Sequence, residues 1–470
     1  MQPSMFNVRV PLEGRDGVFL MNTLTDAQII VDREVSDLLD RLGTDDRGLT
    51  GPECEAVSAL AGHGFVVESR EADWRSVEAF FGGFRESRDQ LRVTVLTTLQ
   101  CNFACDYCIQ GDHDDYNRHA AKMSLESAAK VAEWTERRLD AVAPRSFALT
   151  FFGGEPLLNL PVLYYLAERL WRSCEARGTA MTISVITNGL LLTPEVVDRL
   201  LPCGLSGIKI TLDGDRETHN RMRPLRGGQG TFDRIVNNIR QVAGRCRISI
   251  GGNFDESSVD SYPALLDFLR EQEFADKLVR VAFKPIIREP APARPKGFIP
   301  LTAVGSGGGA PNGACMTTAG SGSTACDSCG LMDEKMSLLR EETKKRGFAT
   351  VDGVHMGPCE IHKTHAHTIG PDGSLYACPG FAGLPTESTG HVDGREDTGR
   401  TGAAARFARI AAWKDCQDCA FIPVCAGGCS AAAHTELHDM NKPNCHKPSF
   451  EAGVVALAHE AARSLTEAVV

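Results

Sequence analysis

The chain of 470 residues is too long for one ordinary core, so we expect two or three domains. Its net charge of −11, with Lys and Arg scattered, argues against nucleic acid as a partner. No apolar run is long enough to span a membrane, and the first residues lack a signal-peptide pattern, which predicts a cytoplasmic protein with no membrane partner. In that reducing compartment the 17 cysteines predict metal ligands rather than disulfides.

Residues 1–85 contain one cysteine and form the first predicted domain. Alternating apolar runs predict strands at Phe6–Val10, Val18–Asn22 and Ala27–Val31, followed by two short amphipathic helices. This order resembles the winged-helix recognition elements that precede many peptide-modifying enzymes. The resemblance implies that the domain holds the leader of a precursor peptide as an added strand. The alternative is a plain N-terminal cap packed on the next domain.

Residues 90–285 alternate strand and helix in the rhythm of parallel α/β barrels. Six such units predict a partial (β/α)6 barrel of the TIM type, with helices such as Leu125–Val142 and Pro194–Leu201 between strands. In such barrels the chemistry lies at the carboxyl ends of the strands. The predicted strands are Leu91–Thr98, Phe147–Phe152, Thr182–Thr187, Gly207–Leu212, Arg247–Gly251 and Val279–Lys284.

Three cysteines, Cys101, Cys105 and Cys108, follow the first predicted strand directly. A four-iron cluster bound by one loop usually takes four thiolates, so three leave one iron without a protein ligand. A structural zinc loop and incidental buried cysteines are the alternatives. The spacing, with Tyr107 before the last cysteine, resembles the signature of the radical SAM superfamily. That resemblance implies a [4Fe-4S] cluster whose open iron binds S-adenosylmethionine (SAM).

Further motifs follow the second, third and fourth strands. A Gly-Gly-Glu-Pro turn ends the second, where glycine lets backbone approach a ligand and glutamate offers an acceptor for an ammonium group. A guanidinium after the fourth strand suits a carboxylate. The alternatives without a functional role are ordinary turns at these positions and a solvated arginine. By resemblance, the residues that contact SAM are Gly153, Gly154, Glu155, Asn188, Asp213 and Arg221.

The fifth strand runs into Gly251, Gly252 and Asn253, which departs from the family's usual glutamate motif there. The next predicted region, 286–350, is an insertion with a bridging helix: residues 286–330 change to Pro, Gly, Ser, Ala and Thr, a composition typical of an inserted loop, and a helix follows from about Asp333 to Arg346. The loop region carries Cys315, Cys326 and Cys329. They are extra cluster ligands, a redox pair or free thiols, and we favour free thiols.

Residues 355–450 hold seven cysteines, and a C-terminal helix is expected over 451–470. Their order resembles the SPASM extension of radical SAM enzymes, which binds two auxiliary iron-sulfur clusters. By resemblance, an outer cluster is held by Cys416, Cys419, Cys425 and Cys445, and an inner cluster by Cys359, Cys378 and Cys429. The fourth inner ligand stays open, with His362, His365 and His367 nearby as ligands or as ordinary loop histidines. A pair of zinc knuckles is the alternative for this region.

The resemblance over residues 90–450 implies an enzyme, a radical SAM oxidoreductase that matures peptides. Such an enzyme cleaves SAM to a 5'-deoxyadenosyl radical, which abstracts hydrogen from a ribosomally made precursor peptide to install a thioether or carbon–carbon crosslink. A low-potential reductant such as flavodoxin or ferredoxin is the implied electron donor. The alternatives are a formylglycine-generating sulfatase maturase, a peptide epimerase and a non-catalytic iron-sulfur electron carrier.

Overall fold

The structure is a computed structural model that describes residues 1–43, 48–108, 120–288, 327–351, 353–354, 357–394 and 402–467. Its N-terminal region contains the three predicted strands and two predicted helices, together with a short strand pair and a third helix that the sequence pattern did not indicate. These elements are β1 (Gln2–Pro3), β2 (Asn7–Pro11), β3 (Val18–Asn22), β4 (Gln28–Val31), α1 (Arg33–Arg41), α2 (Gly51–Gly62), β5 (Val66–Val67) and α3 (Arg70–Glu86).

The N-terminal sheet has the antiparallel order β2-β3-β4 and is covered on both faces. Leu20 of β3 packs towards α1 and α2, whereas Phe19 and Met21 pack against Phe421 and Val454 of the C-terminal region. Successive residues of a strand point to opposite faces, so β3 is buried on both sides. The apolar contacts of the sheet thus reach the C-terminal region, rather than the barrel on which a plain cap was expected to pack.

The central region forms the predicted partial barrel of six parallel strands, an α/β fold. Neighbouring strands follow chain order, as repeated right-handed βα units require. The elements are β6 (Gln90–Leu96), α4 (Leu125–Val142), β7 (Ser146–Phe152), α5 (Leu160–Arg177), β8 (Ala180–Thr187), α6 (Pro194–Leu200), β9 (Leu205–Thr211), α7 (Arg216–Met222), α8 (Phe232–Val242), β10 (Ile248–Phe254), α9 (Tyr262–Arg270) and β11 (Leu278–Pro285).

Along each barrel strand, successive side chains point alternately to two chemically different faces of the sheet. Val93, Leu149, Ile208 and Ile250 are buried against the helices in the main hydrophobic core. The residues between them turn to the interior face, which is mostly small or polar. This alternation leaves the interior open to polar ligands while the core lies outside it.

The C-terminal region continues the barrel sheet, which the sequence pattern did not indicate. Its first strand, β12 (Ala366–Ile369), pairs in parallel with β6, and β13 (Ser374–Tyr376) and β14 (Gly390–His391) bring the sheet to nine strands. The strand order is β11-β10-β9-β8-β7-β6-β12-β13-β14. Strands of two to four residues among cysteine and glycine are too short to show a periodic pattern. The elements are α10 (Asp327–Lys345), β12 (Ala366–Ile369), β13 (Ser374–Tyr376), β14 (Gly390–His391), α11 (Ala403–Ala408), α12 (Ile422–Cys425), α13 (Ser430–Leu437) and α14 (Lys447–Glu467).

Two helices at the ends of this region begin earlier in the structure than the sequence predicted. The helix after the insertion begins at Asp327 rather than near Asp333, and the C-terminal helix begins at Lys447. Cys315, Cys326 and the side chain of Cys329 lie outside the described residues. Within the described ranges, no helix combines the length and apolar character needed to cross a bilayer.

Candidate active site

The three-cysteine loop leaves the carboxyl end of β6 and is tied to a segment that follows α7. The Ala104 N–H donates to the Pro224 carbonyl at 2.9 Å, and Phe103 forms a β-bridge with Leu225. Arg226 Nε donates to the Cys101 carbonyl at 3.0 Å. The loop is thus fixed across the mouth of the barrel, where the sequence predicted the chemistry to lie.

The loop's thiols are near one another and sheltered from water. Burial raises the pKa of Cys101 to about 12, and the neighbouring Glu155, Cys105 and Cys108 act in the same direction. Burial likewise raises the pKa of Cys105 to about 11. The Cys101 and Cys105 thiols therefore stay neutral near pH 7 unless a bound cation stabilises their thiolates. The donor set therefore fits a metal cluster.

Gly153 and Gly154 allow the turn after β7 to pack closely against the backbone of the segment that follows β6. A Cβ added at Gly153 would lie 2.2 Å from the Thr98 carbonyl oxygen, and one at Gly154 would lie 2.2 Å from that of Gln100. The Gly154 N–H donates to Thr98 at 2.9 Å. The glycines thus seat the turn after β7 directly on the segment that leads into the cysteine loop.

The Glu155 side chain points into the protein. It has no exposed surface, and its carboxylate accepts from Thr187 Oγ1 at 2.7 Å, the Asn188 N–H at 2.8 Å and the Leu157 N–H at 3.0 Å. Burial raises its pKa despite these bonds. A carboxylate has about four acceptor positions, and two of them here tie the end of β7 to the end of β8. The sequence analysis predicts this carboxylate as an acceptor for an ammonium group, and three of its positions are already used within the protein.

Asn188, at the end of β8, contacts the cysteine loop. Its Nδ2 donates to Asn102 Oδ1 at 2.7 Å and lies 4.0 Å from Cys101 Sγ, while its Oδ1 accepts from the Leu190 N–H. The side chain therefore lies beside the thiols.

Asp213 anchors a buried polar network on the opposite side of the loop. Its carboxylate accepts from the Tyr107 hydroxyl, from the Asn253 N–H at 2.7 Å and from Arg223 Nη1 at 3.4 Å. Arg223 also donates to the Tyr107 hydroxyl at 2.6 Å, and Asn253 Nδ2 approaches that hydroxyl at 3.4 Å. The network joins the loop to the ends of β9 and β10.

Arg223 supplies the guanidinium in this network, and Arg221, the arginine that the resemblance assigns to SAM, lies outside it. Arg221 is exposed, while Arg223 is 8% exposed and stands over the Phe103 ring at 5.5 Å. Helical spacing was the missed signal, because Arg223 lies four residues after the fully buried His219 and so shares its inward face. Arg223 Nε is buried and has no partner among the described residues, so it is a donor that fits an anionic group beside the thiols.

The C-terminal thiols fall into the two sets given by the resemblance. Cys378 is near Cys359 and Cys429, whose charges act on its pKa, which burial raises to about 12. We call these three the inner thiol set. Cys416, Cys419, Cys425 and Cys445, the outer thiol set, influence one another in the same way. Within the described residues, no three His, Cys, Asp or Glu side chains lie close enough to hold a single metal ion.

The outer thiol set depends on two glycines that precede Cys429. Gly428 has a φ of +96°, and a Cβ there would lie 2.0 Å from the Asn444 carbonyl oxygen. The Asn444 N–H in turn donates to the Gly427 carbonyl at 2.9 Å. This approach carries Cys445 to Cys425 across a long sequence separation.

Two of the three neighbouring histidines face α4. His365 Nδ1 lies 3.2 Å from Arg138 Nη2, and the His367 ring meets Trp134 edge-on at 5.0 Å. His362 is buried with Nε2 unpartnered, and burial lowers its pKa to about 4, helped by Arg85. The fourth inner ligand stays open.

Residues 95–252 match the family model of the radical SAM superfamily. The match runs from β6 into β10 and so includes the cysteine loop, Glu155 and Asp213. Over these residues the chain matches the radical SAM domain.

Curated relatives share this part of the chain. The chain is 26% identical over 204 residues to Fe-coproporphyrin III synthase of Methanosarcina barkeri (strain Fusaro / DSM 804), covering 43% of this chain and 45% of that protein. It is 32% identical over 165 residues to GTP 3',8-cyclase of Synechococcus sp. (strain WH7803), covering 34% and 44%. The chain thus spans less than half the length of these relatives.

A wider structural likeness extends beyond the barrel. The structure of native anSMEcpe, a sulfatase maturase, with bound AdoMet and Cp18Cys peptide matches 80% of this chain and 99% of that chain, with a TM-score of 0.59 and 16% identity. At this identity the likeness shows a common fold.

Proposed function

We propose that this protein is a radical SAM enzyme that modifies a peptide. One observation carries the proposal: three thiols, one buried and two half-buried, share a loop at the mouth of the barrel, beside the Gly153–Glu155 turn and a donor on Arg223 that has no partner among the described residues. A structural metal loop needs no such surroundings, whereas a site for a charged cofactor does.

Cys101, Cys105 and Cys108 would hold a [4Fe-4S] cluster. When bound, the cluster and SAM supply reductive cleavage of SAM to methionine and a 5'-deoxyadenosyl radical. The chain positions and shields that chemistry: Gly153 and Gly154 offer backbone near the loop, and Arg223 offers a donor for a carboxylate. Asn188 and Asp213 keep the flanking strands against the loop, so the proposed SAM contacts lie on both of its sides.

A peptide substrate is supported by the fold and by the N-terminal sheet. The structure with the same fold holds AdoMet and a peptide. In this chain β2 and β4 are the edge strands of the N-terminal sheet, and an edge strand is where a leader peptide adds by backbone hydrogen bonds. The inner and outer thiol sets would hold auxiliary clusters, and flavodoxin or ferredoxin is the proposed donor of electrons.

The proposed reaction is oxidative and forms a thioether or carbon–carbon crosslink. Mass spectrometry of the product separates the candidates, because a crosslink loses two hydrogen atoms and epimerisation leaves the mass unchanged. Conversion of a cysteine to formylglycine replaces the thiol with an aldehyde. The Cp18Cys peptide is the probe for that sulfatase-type reaction, and we expect no conversion of it.

The direct test measures 5'-deoxyadenosine after anaerobic reconstitution with iron and sulfide, reduction with dithionite and addition of SAM. Cys105→Ala should abolish the product. Cys246→Ala is the matched control, since Cys246 is a half-buried barrel cysteine outside the proposed ligand sets, and this variant should keep it. Cleavage that survives Cys105→Ala would refute the assignment of the loop. Bound iron without deoxyadenosine in the wild type would favour the electron carrier.

A further inference from the structure

Three cations line the interior face of the second half of the barrel. Lys209 of β9 lies opposite Ser249 of β10, which lies opposite Arg280 of β11. Lys284 of β11 lies opposite Asn253 on the same face. We call Lys209, Arg280 and Lys284 the basic cluster. It lies on the sheet face that also carries Asn253 of the network at the cysteine loop.

A glycine makes room for Lys209. A Cβ added at Gly251 would lie 2.4 Å from Lys209 Cε and 3.2 Å from its Nζ, so the lysine stem crosses β10 where Gly251 has no side chain. Gly251 lies two residues beyond Ser249 along parallel β10, so Lys209 extends towards the carboxyl ends of the strands. The ammonium group therefore approaches the end of the barrel that holds the cysteine loop.

The charges of the basic cluster lack counterions in the described part of the chain. Lys209, Arg280 and Lys284 each form no ion pair with a described carboxylate, unlike Arg223 and Arg169. Burial and the neighbouring Lys284 and Arg280 lower the pKa of Lys209, so the three cations repel one another. Lys209, Arg280 and Lys284 are all accessible to solvent on this face, so their unpaired like charges are available to a bound anion, which would relieve their mutual repulsion.

The basic cluster also faces the C-terminal thiols. The charge of Lys284 acts on the Cys378 thiol of the inner thiol set, against the larger effect of burial. Lys284, next to the last residue of β11, thus lies near both the inner thiol set and the carboxyl ends of the barrel strands. A ligand held by these cations is within reach of both.

We propose that the basic cluster binds a side-chain carboxylate of the peptide substrate, from Asp or Glu, and thereby fixes which residue faces the cysteine loop. The inference rests on the proposed function and adds a specificity to it. Arg280 offers a planar pair of donors, and Lys209 and Lys284 offer point charges, a combination that suits a carboxylate held from two sides.

The test is a binding selection on the full-length reconstituted protein with SAM, using a random library of short peptides. Wild type should enrich peptides that contain Asp or Glu. Lys209→Met and Lys284→Met should each weaken binding of the selected acidic peptides by about ten- to a hundredfold, as expected for a charge-assisted hydrogen bond. Lys130→Met, which removes an exposed lysine of α4, is the matched control and should leave the enrichment unchanged. Lys209→Glu should favour basic peptides.

Three results would overturn the inference. One is a selection without acidic enrichment, and another is enrichment that survives both Lys209→Met and Lys284→Met. The third is an equal loss of SAM affinity in Lys209→Met, which would assign the cluster to the carboxylate of SAM itself. Deoxyadenosine formation by the same wild-type preparation without peptide tests the proposed function separately, because the selection reports binding alone.

Discussion

The cysteine loop of the barrel and the C-terminal thiol sets bring sulfur atoms together by different means. In the loop, eight residues of one segment carry all three thiols, and hydrogen bonds to Pro224 and from Arg226 hold that segment in place. In the C-terminal region, the inner thiol set joins Cys359, Cys378 and Cys429, which lie far apart in sequence. The first arrangement is local and the second depends on the fold of the whole region.

Both regions nevertheless rely on glycine to bring backbone segments close. Gly154 admits the segment before the cysteine loop, and Gly428 admits the segment before Cys445. Both also surround their thiols with protein, so that burial raises the thiol pKa. The difference suggests a division of roles, in which the loop with its cofactor contacts performs SAM cleavage and the C-terminal sets serve the substrate.

The largest expected effect separates the two regions by function. Cys105→Ala should reduce 5'-deoxyadenosine to background, because it removes a proposed ligand of the SAM-binding cluster. Cys425→Ala should lower the iron content by one cluster and still cleave SAM, since Cys425 belongs to the outer thiol set. Iron analysis and a deoxyadenosine assay on both variants measure this. Equal loss of cleavage in the two variants would contradict the division of roles.

Asp213→Asn should strongly lower the free energy of unfolding of the protein. Asp213 is fully buried and pairs with Arg223, which is 8% exposed, so the substitution leaves a buried cation poorly compensated. Removing one partner of such a pair costs roughly 3–5 kcal/mol. Asp198→Asn breaks the exposed pair with Arg245 and should cost only about 0–1 kcal/mol. Urea unfolding compares them, and similar midpoints would show that the buried network is unimportant.

The two glycines allow each region to be disturbed separately. Gly154→Ala should impair SAM cleavage and spare the C-terminal iron, whereas Gly428→Ala should do the reverse. Gly428→Ala combines a positive φ with a contact of 2.0 Å and should cost roughly 2–4 kcal/mol. Gly394→Ala is its control, because Gly394 has a φ of +89° but open space, and about 1–2 kcal/mol is expected. Iron loss in all three variants would remove the distinction.

The smallest expected effect concerns Glu53, which lies outside both thiol regions. Hydrogen bonds from the Thr50 N–H and from Arg41 lower the pKa of Glu53 from 4.5 to about 2. Because the folded-state pKa is lowered, this stabilisation is present above about pH 4.5 and is lost as the pH falls towards about 2. The melting temperatures of wild type and Glu53→Gln should therefore converge over that range. A constant difference would show that Glu53 does not titrate as described.

The sequence predicted the repeating elements more fully than the site. All six barrel strands and α4 follow from alternation and helical spacing, and the cysteine loop follows from its short spacing. Arg223 directly follows α7 and is buried, whereas Arg221 is exposed. The spacing of Arg223 from His219 was the signal in the sequence, but its bonds to Tyr107 and Asp213 depend on the fold. The extension of the sheet by β12 could not be predicted from the sequence, because a strand of four residues is too short to show an alternating pattern.

The central claim is that the barrel loop holds the cluster to which SAM binds. Electron paramagnetic resonance of the dithionite-reduced protein, recorded with and without SAM, tests it most directly. We expect SAM to change the spectrum of the wild type and to leave unchanged the residual spectrum of a variant with Cys101, Cys105 and Cys108 all replaced by Ala. A wild-type spectrum indifferent to SAM, or a SAM response that persists in the triple variant, would contradict the account.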